Sequence, residues 1–377
     1  MKKRRGQAAL RRTAAVLLAL LALLGAAACA GAAERTASSP GAFLLRTQMA
    51  LGSAEDTSLP SAAVALVLHG SALLQKNASA PAPETRQSDP ADEETHEGTV
   101  LSSAEEGDSA AEETPSDNGV AAKTIHPVSR AGYLVWNDVL ITNTSGYSPD
   151  LAALMQSPPD AKLTDEMPQV LILHTHGTEG YTTPAEDGFP ATDGRSEDTE
   201  RNVVRVGDEI ALALEERGIS VLHDRTMYDK SGYTDAYARA EQSIAAYLQK
   251  YPSIHFVLDV HRDAIEDRSG KVYKVISAVD GKNAAQISLV VGSDGGGLPH
   301  EHWQENLKLA LLVQQHLTEQ YPTLMRPMYL RASRYNEHAT TGSLLVEVGA
   351  AGNSLDEALY AAHLFADGFA DVIQTSA

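Results

Sequence analysis

Val170-Leu171-Ile172-Leu173 is apolar at every position, not at alternate ones, and stops abruptly at His174. A strand of that kind is covered on both faces, so the sheet that contains it needs helical layers around it. The neighbouring stretches supply them. Residues 202–217 carry apolar side chains at helical spacing and end before Gly218, a natural helix stop. Residues 220–222 read as a second strand, 234–250 as a helix closed by Pro252, and 255–260 as a third strand. Further strands are expected at 272–279, with turn residues Asp280-Gly281 behind it, and at 286–291. A long amphipathic helix at 301–320 and a late strand at 344–348 follow. The last helix, 354–373, opens with Ser354 as N-cap and Glu357 placed to complete a capping box. A strand at 139–143 and a short helix begun by Asp150 come first. This alternation predicts one α/β domain over 125–377, a mixed, mostly parallel sheet flanked by helices.

Ligands of open α/β sheets bind just past the C-terminal ends of strands, and three polar clusters fall at such positions. The first is His174-Thr175-His176-Gly177-Thr178-Glu179. In a tight turn the His176 imidazole and the Glu179 carboxylate can converge on one metal, and that pairing suits zinc. The second is Asp259-Val260-His261-Arg262-Asp263, where His261 is the natural third ligand. Two histidines and one glutamate leave a fourth position open, as in catalytic zinc sites. Asp259 or Asp263 is placed to accept the other ring N–H of a ligating histidine. The third is Glu347, a lone carboxylate in an apolar strand and a candidate general base. Taken singly, each has a plainer reading. A histidine after a strand is commonly a hydrogen-bonded structural residue, Glu179 could cap its turn, and Glu347 could pair with Arg262 or Arg334. The coincidence of three clusters at one crevice favours the metal site. His174, Asp259, Arg262, Asp263, Asn336 and Asn353 are candidates for supporting the ligands or touching substrate. His300-Glu301-His302 reads as a solvated helix start, and 293–297 as a glycine-rich loop.

The chain is strongly acidic, with a net charge of -20, which argues against a nucleic-acid partner. Its single cysteine, Cys29, excludes internal disulfides and a cysteine zinc cage. Residues 1–35 combine a basic start with a charge-free Leu- and Ala-rich run of about 20 residues, enough to span a bilayer. The basic flank puts the N-terminus in the cytoplasm and the remainder outside. A retained signal-anchor is favoured over cleavage or lipidation at Cys29. Residues 36–74 form a membrane-proximal segment. Residues 75–122 are rich in Ser, Ala, Asp, Glu and Pro and read as a disordered acidic linker.

As a set, the motifs resemble the stage II sporulation protein P family, relatives of the zinc-dependent N-acetylmuramoyl-L-alanine amidases. The residues that carry the resemblance are His174-Thr175-His176 with Glu179 and Tyr181, then 202–207, 259–264, and Trp303 with 305–307. Residues 345–349 with Asn353 complete it, so the likeness runs from about Asn137 to the C-terminus. The resemblance implies a phosphorylase/hydrolase-like fold, a zinc ion, and hydrolysis of the amide between N-acetylmuramic acid and L-alanine, with endopeptidase action on cross-links as an extension. It also implies work on peptidoglycan during engulfment, beside a stage II sporulation protein D-type lytic transglycosylase. Carried over by residue, His176, Glu179 and His261 would be ligands and Glu347 the catalytic carboxylate. Glu200, at the start of the first helix, is the competing carboxylate ligand, and Gly177-Thr178 departs from the usual pattern before Glu179. The rival readings are another metallohydrolase, such as a phosphoesterase, and a non-catalytic wall-binding scaffold.

Overall fold

Side chains alternate across a strand, and in this chain that alternation decides which residues face chemistry and which face core. The computed structural model describes residues 99–100, 120–182, 194–267 and 271–376, all within one unit, Arg86–Ala377. The expected anchor and membrane-proximal segment, and most of the expected linker, lie outside the described residues. Among the described residues no helix is long and apolar enough to cross a membrane.

In chain order the strands are β1 Thr99–Val100, β2 Ala121–Lys123, β3 Leu134–Trp136, β4 Val139–Asn143, β5 Val170–Leu173, β6 Val221–His223 and β7 Phe256–Asp263. There follow β8 Ile265–Glu266, β9 Tyr273–Val279, β10 Lys282–Ala285, β11 Ile287–Val291, β12 Met328–Leu330 and β13 Gly342–Ala350. The helices are α1 Leu151–Leu154, α2 Val203–Glu216, α3 Ala236–Lys250, α4 Trp303–Gln320 and α5 Leu355–Thr375. Eight strands form the main sheet in the order β3-β4-β12-β11-β13-β7-β5-β6.

The α/β class is as expected, but the sheet is mixed rather than mostly parallel. The strands β13, β7, β5 and β6 form one parallel block. The strands β11, β12 and β4 form another, and the two meet antiparallel at β11–β13. Strand β3 runs antiparallel to β4 at the edge. The reason lies in the connections. Helix α4 links β11 to β12 and permits a parallel crossover, whereas residues 331–341 contain only a 3-10 turn, Glu337–Ala339. Without a long helical crossover the chain cannot return parallel, so β13 runs back against β11. The strand expected at 272–279 joins a separate sheet, β10-β9-β2. Asp280 and Gly281 turn it back into β10 with φ of 49° and 75°, the primed-turn geometry that suits a hairpin. Two short strands come from the region expected as linker: β1 pairs with β8 and β2 with β9.

Parity then sorts the core. Val170 and Ile172 of β5, Phe256, Leu258 and Val260 of β7, and Leu344, Val346 and Val348 of β13 pack with α2, α4 and α5. Helix α5 is fixed at its start by the expected capping box, Ser354 with Glu357, a feature worth about 1 kcal/mol. It is fixed further along by Phe369, edge-on to Phe256 at 5.8 Å. On the opposite face Leu171, Leu173 and Val257 pack against Ala236, Ala240 and Ile244 of α3. Asp259, His261 and Glu347 share the parity of Val257 and Leu345, so they project toward the α3 side of the sheet.

Candidate active site

The site is built where β5, β7 and β13 end. The chain leaves β5 in a turn closed by the Glu179 N–H donating to His176 O at 3.0 Å. Gly180 N–H and Ser196 N–H then tie this turn to Gly194 O and Thr178 O, both at 2.7 Å. His176 is buried. Its ring stacks on Tyr233 at 4.1 Å and meets Tyr237 and His261 edge-on at 5.4 and 5.5 Å. Its Nδ1 lies 4.0 Å from Asp229 Oδ2.

His261 is clamped between two carboxylates. Its Nε2 is 2.9 Å from Asp259 Oδ1, and its Nδ1 is 3.4 Å from Glu179 Oε2. Asp259 is held in turn by the Thr175 N–H at 2.8 Å and the Thr175 hydroxyl at 2.6 Å. Glu179 also accepts from the Arg262 N–H at 3.1 Å. Burial pushes the Glu179 carboxyl up, but the hydrogen bond and charge of His261, then Arg262 and His176, outweigh it and hold the group low. Burial likewise pulls the His261 imidazole down, and the charge of Asp259, with hydrogen bonds that the ring donates to both carboxylates, lifts it well above its ordinary value.

Glu347 is the register partner of His261 across the parallel β13–β7 pair. It is buried, and its Oε2 has no hydrogen-bond partner among the described residues. Burial first, and then the charge of Asp263, push its carboxyl up to about 8, against the opposing pull of His261. Asp263 is paired with Arg326 at 3.0 Å, a guanidinium only 2 % exposed.

The remaining sequence candidates fall elsewhere. The His174 ring lies on the α2 side of the sheet, with Nδ1 2.9 Å from Val260 O and Nε2 2.8 Å from His223 Nε2. The Arg262 guanidinium donates to Gly180 O and Gly194 O, both at 3.1 Å, and so braces the turn that carries Glu179. Asn353 is enclosed in backbone contacts, accepting from Val275 N–H and Ala350 N–H and donating to Val275 O. Asn336 donates to Tyr237 O at 3.0 Å. Glu200 is 70 % exposed and faces Arg225, so the carboxylate within this cluster is Glu179. The arginines considered for Glu347 have other partners: Arg334 pairs with Glu241. The expected solvated helix start is corrected at His300, which is buried with its ring 6.3 Å from that of His338. The chain there turns inward before α4 begins.

Among the described residues no three His, Cys, Asp or Glu side chains are already drawn around one point as a metal cage. The donor chemistry nevertheless fits zinc. His176, His261 and Glu179 are the imidazole and carboxylate types it takes, they are buried side by side, and the Glu347 carboxylate with its orphaned oxygen stands next to them. A family model described as Stage II sporulation protein P matches residues 58–370.

The chain belongs to the stage II sporulation protein P family.

A curated Stage II sporulation protein P from Bacillus subtilis (strain 168) is 28 % identical over 228 residues, 58 % of this chain and 54 % of that protein. The chain thus spans about half the length of the curated relative it matches. Solved structures similar to it include the CwlD amidase from Clostridioides difficile in complex with the GerS lipoprotein, at 14 % identity and TM-score 0.36. That match covers 55 % of this chain and 98 % of the other. The N-acetylmuramoyl-L-alanine amidase AmiC2 of Nostoc punctiforme is 15 % identical with TM-score 0.32, covering 56 % and 97 %.

In this family member the site also contains residues that sequence reasoning passed over. Tyr233, in the turn before α3, and Tyr237, in its first turn, wall in His176. Asp229 and Arg326 come from loops, and no local pattern marks them.

Proposed function

We propose that this protein is a zinc-dependent peptidoglycan hydrolase that cleaves the amide between N-acetylmuramic acid and L-alanine. The observation that carries the reading is the buried juxtaposition of His261, His176 and Glu179 with Glu347, whose Oε2 has no hydrogen-bond partner among the described residues. Family membership supports it. His176, Glu179 and His261 would hold the metal, which supplies Lewis acidity to the reacting amide. Glu347 moves the proton. Burial and Asp263 push its carboxyl up, so it holds a proton more readily than an ordinary glutamate, the property a proton carrier needs. It takes the proton of the attacking water and delivers it to the departing L-alanine nitrogen. Asp259 fixes the His261 ring, and Tyr233 and Tyr237 shield His176 from water.

The wider role is part of the same proposal. The protein acts on the wall outside the membrane, tethered by the apolar segment within residues 1–35, during engulfment in sporulation. A stage II sporulation protein D-type transglycosylase acts beside it, and cleavage of peptide cross-links is a secondary activity. The test is digestion of purified sacculi by the full chain in detergent, with and without zinc, followed by mass spectrometry. Released stem peptides beginning with L-alanine, dependent on both zinc and Glu347, are expected. Intact stems on glycan freed by an added transglycosylase would favour a wall-binding scaffold.

A further inference from the structure

Gly177 and Thr178, the two residues between His176 and Glu179, dock a segment that follows β6. A Cβ on Gly177 would stand 2.8 Å from Met227 Cγ and 2.9 Å from Met227 Cα. Only glycine lets the 227–229 backbone approach so closely. Two residues on, the Asp229 carboxylate accepts from the Thr178 N–H at 3.1 Å and the Thr178 hydroxyl at 2.5 Å. The Arg195 guanidinium donates to the same carboxylate at 2.7 Å and lies 4.7 Å over the Tyr233 ring. Tyr233 stacks on His176. Three donors therefore hold one buried carboxylate against the Nδ1 side of His176, 4.0 Å away.

Asp259 offers a direct comparison. It is held by Thr175 and lies 2.9 Å from a ring nitrogen of His261. Each of the two buried imidazoles thus has a carboxylate at one ring nitrogen, and each carboxylate is held by a threonine from the same 175–178 turn. The His176 contact is an ion-pair distance rather than a hydrogen bond. Catalytic hydrogen bonds are often long before substrate or metal is bound, and Tyr233 stacks flat on the ring, so rotation within the ring plane is the movement it leaves easiest.

We propose that Asp229 is a positioning residue for His176: it holds Nδ1–H, fixes the tautomer, and leaves Nε2 as the ligating nitrogen. This rests on the zinc reading above. A carboxylate behind a ligating histidine raises its basicity and orients its ring, and its loss typically weakens metal binding 10- to 100-fold. Because the carboxylate arrives from a separate segment, the Gly177-Thr178 pair reads as the fitting that admits it.

The experiment measures zinc affinity of the full chain in detergent by competition with a chromophoric chelator, and the visible spectrum after cobalt substitution. Wild type, Asp229→Asn, Asp229→Glu, Thr178→Val and His261→Ala are compared. Asp229→Asn is expected to weaken zinc binding about 10- to 100-fold and to shift the cobalt bands, with partial recovery in Asp229→Glu. Thr178→Val removes one donor to Asp229 without touching the carboxylate, so it should lower the melting temperature and leave affinity within a few-fold of wild type. Zinc affinity of Asp229→Asn within twofold of wild type, with unshifted bands, overturns the proposal. So does Thr178→Val weakening zinc as much as Asp229→Asn, because Asp229 then acts only as a staple. A wild-type chain that takes up no zinc, or a His261→Ala chain that binds as well as wild type, overturns the zinc reading itself.

Discussion

Glu347 on β13 stands directly beside His261 on β7 in parallel register, and both side chains project to the α3 face. Neighbouring parallel strands place such partners about 5 Å apart, close enough for a carboxylate to serve whatever His261 binds. Adjacency alone gives Glu347 a role distinct from that of Glu179, which touches the ring nitrogen itself at 3.4 Å.

Glu347→Gln keeps the shape of the side chain and removes its proton transfer. Release of L-alanine-terminated peptides should fall by about 10²- to 10⁴-fold, while zinc stoichiometry stays at the wild-type value. The melting temperature should hold or rise, because a buried carboxyl with an unpartnered oxygen is costly. Wild-type turnover in this variant would remove Glu347 from the reaction.

Much of this was legible in the sequence for a physical reason. The buried strand β5 is apolar throughout, β7 opens with the apolar run Phe256-Val257-Leu258 before Asp259, and polar residues that follow such runs have to face a crevice. His176, Glu179, His261 and Glu347 all stand out against that background. The short strands β3, β8, β10 and β12 carry too few residues to show a period. The direction of β13 depended on a loop length, which hydrophobic patterning does not encode. His174 shows the limit of strand-end reasoning. It continues the parity of Ile172, so its ring falls on the α2 side although it sits two residues from His176.

Arg326 illustrates what only packing reveals, and it makes a second prediction. Its guanidinium is buried against Asp263 at 3.0 Å, and removing one member of a buried pair leaves the other charge uncompensated. Arg326→Met should cost about 3–5 kcal/mol, whereas joint replacement of Arg326 and Asp263 by apolar residues of similar size should recover most of that. Denaturant titrations of the single and double variants measure the coupling. Additive losses would show that the pair is not energetically linked.

Acid should weaken the fold through His300. Burial, reinforced by His338, pushes its imidazole down from 6.5 to about 3. The unfolded chain therefore binds a proton below about 6.5 that the folded chain refuses until about 3. Its contribution is full above 6.5 and is lost as pH falls through that window, at up to about 1.4 kcal/mol per pH unit. His300→Leu removes this term while leaving the other titrating groups in place. Stability measured at steps from pH 7 to pH 4 should fall less steeply in the variant than in wild type. Equal slopes would mean that His300 titrates normally in the folded protein.

Gly207 on α2 provides the last test, because two effects of opposite sign compete there. In an exposed helix Gly→Ala stabilises by about 1 kcal/mol through helix propensity. At Gly207 the new methyl would lie 2.6 Å from the His174 ring and 2.7 Å from His223 Nε2. Neither ring can yield cheaply, since His174 is tied to Val260 O and His223 to Asp208 at 3.0 Å. Overpacking of a fixed interior costs about 1–3 kcal/mol, so the clash should outweigh the propensity gain and Gly207→Ala should be net destabilising in denaturant melts. The displacement should also reach the chemistry, because the carbonyl that His174 holds belongs to Val260, the residue before His261. A loss of peptide release larger than the loss of folded protein would reveal that transmission. A stabilised, fully active Gly207→Ala protein would show that the two rings have room to move.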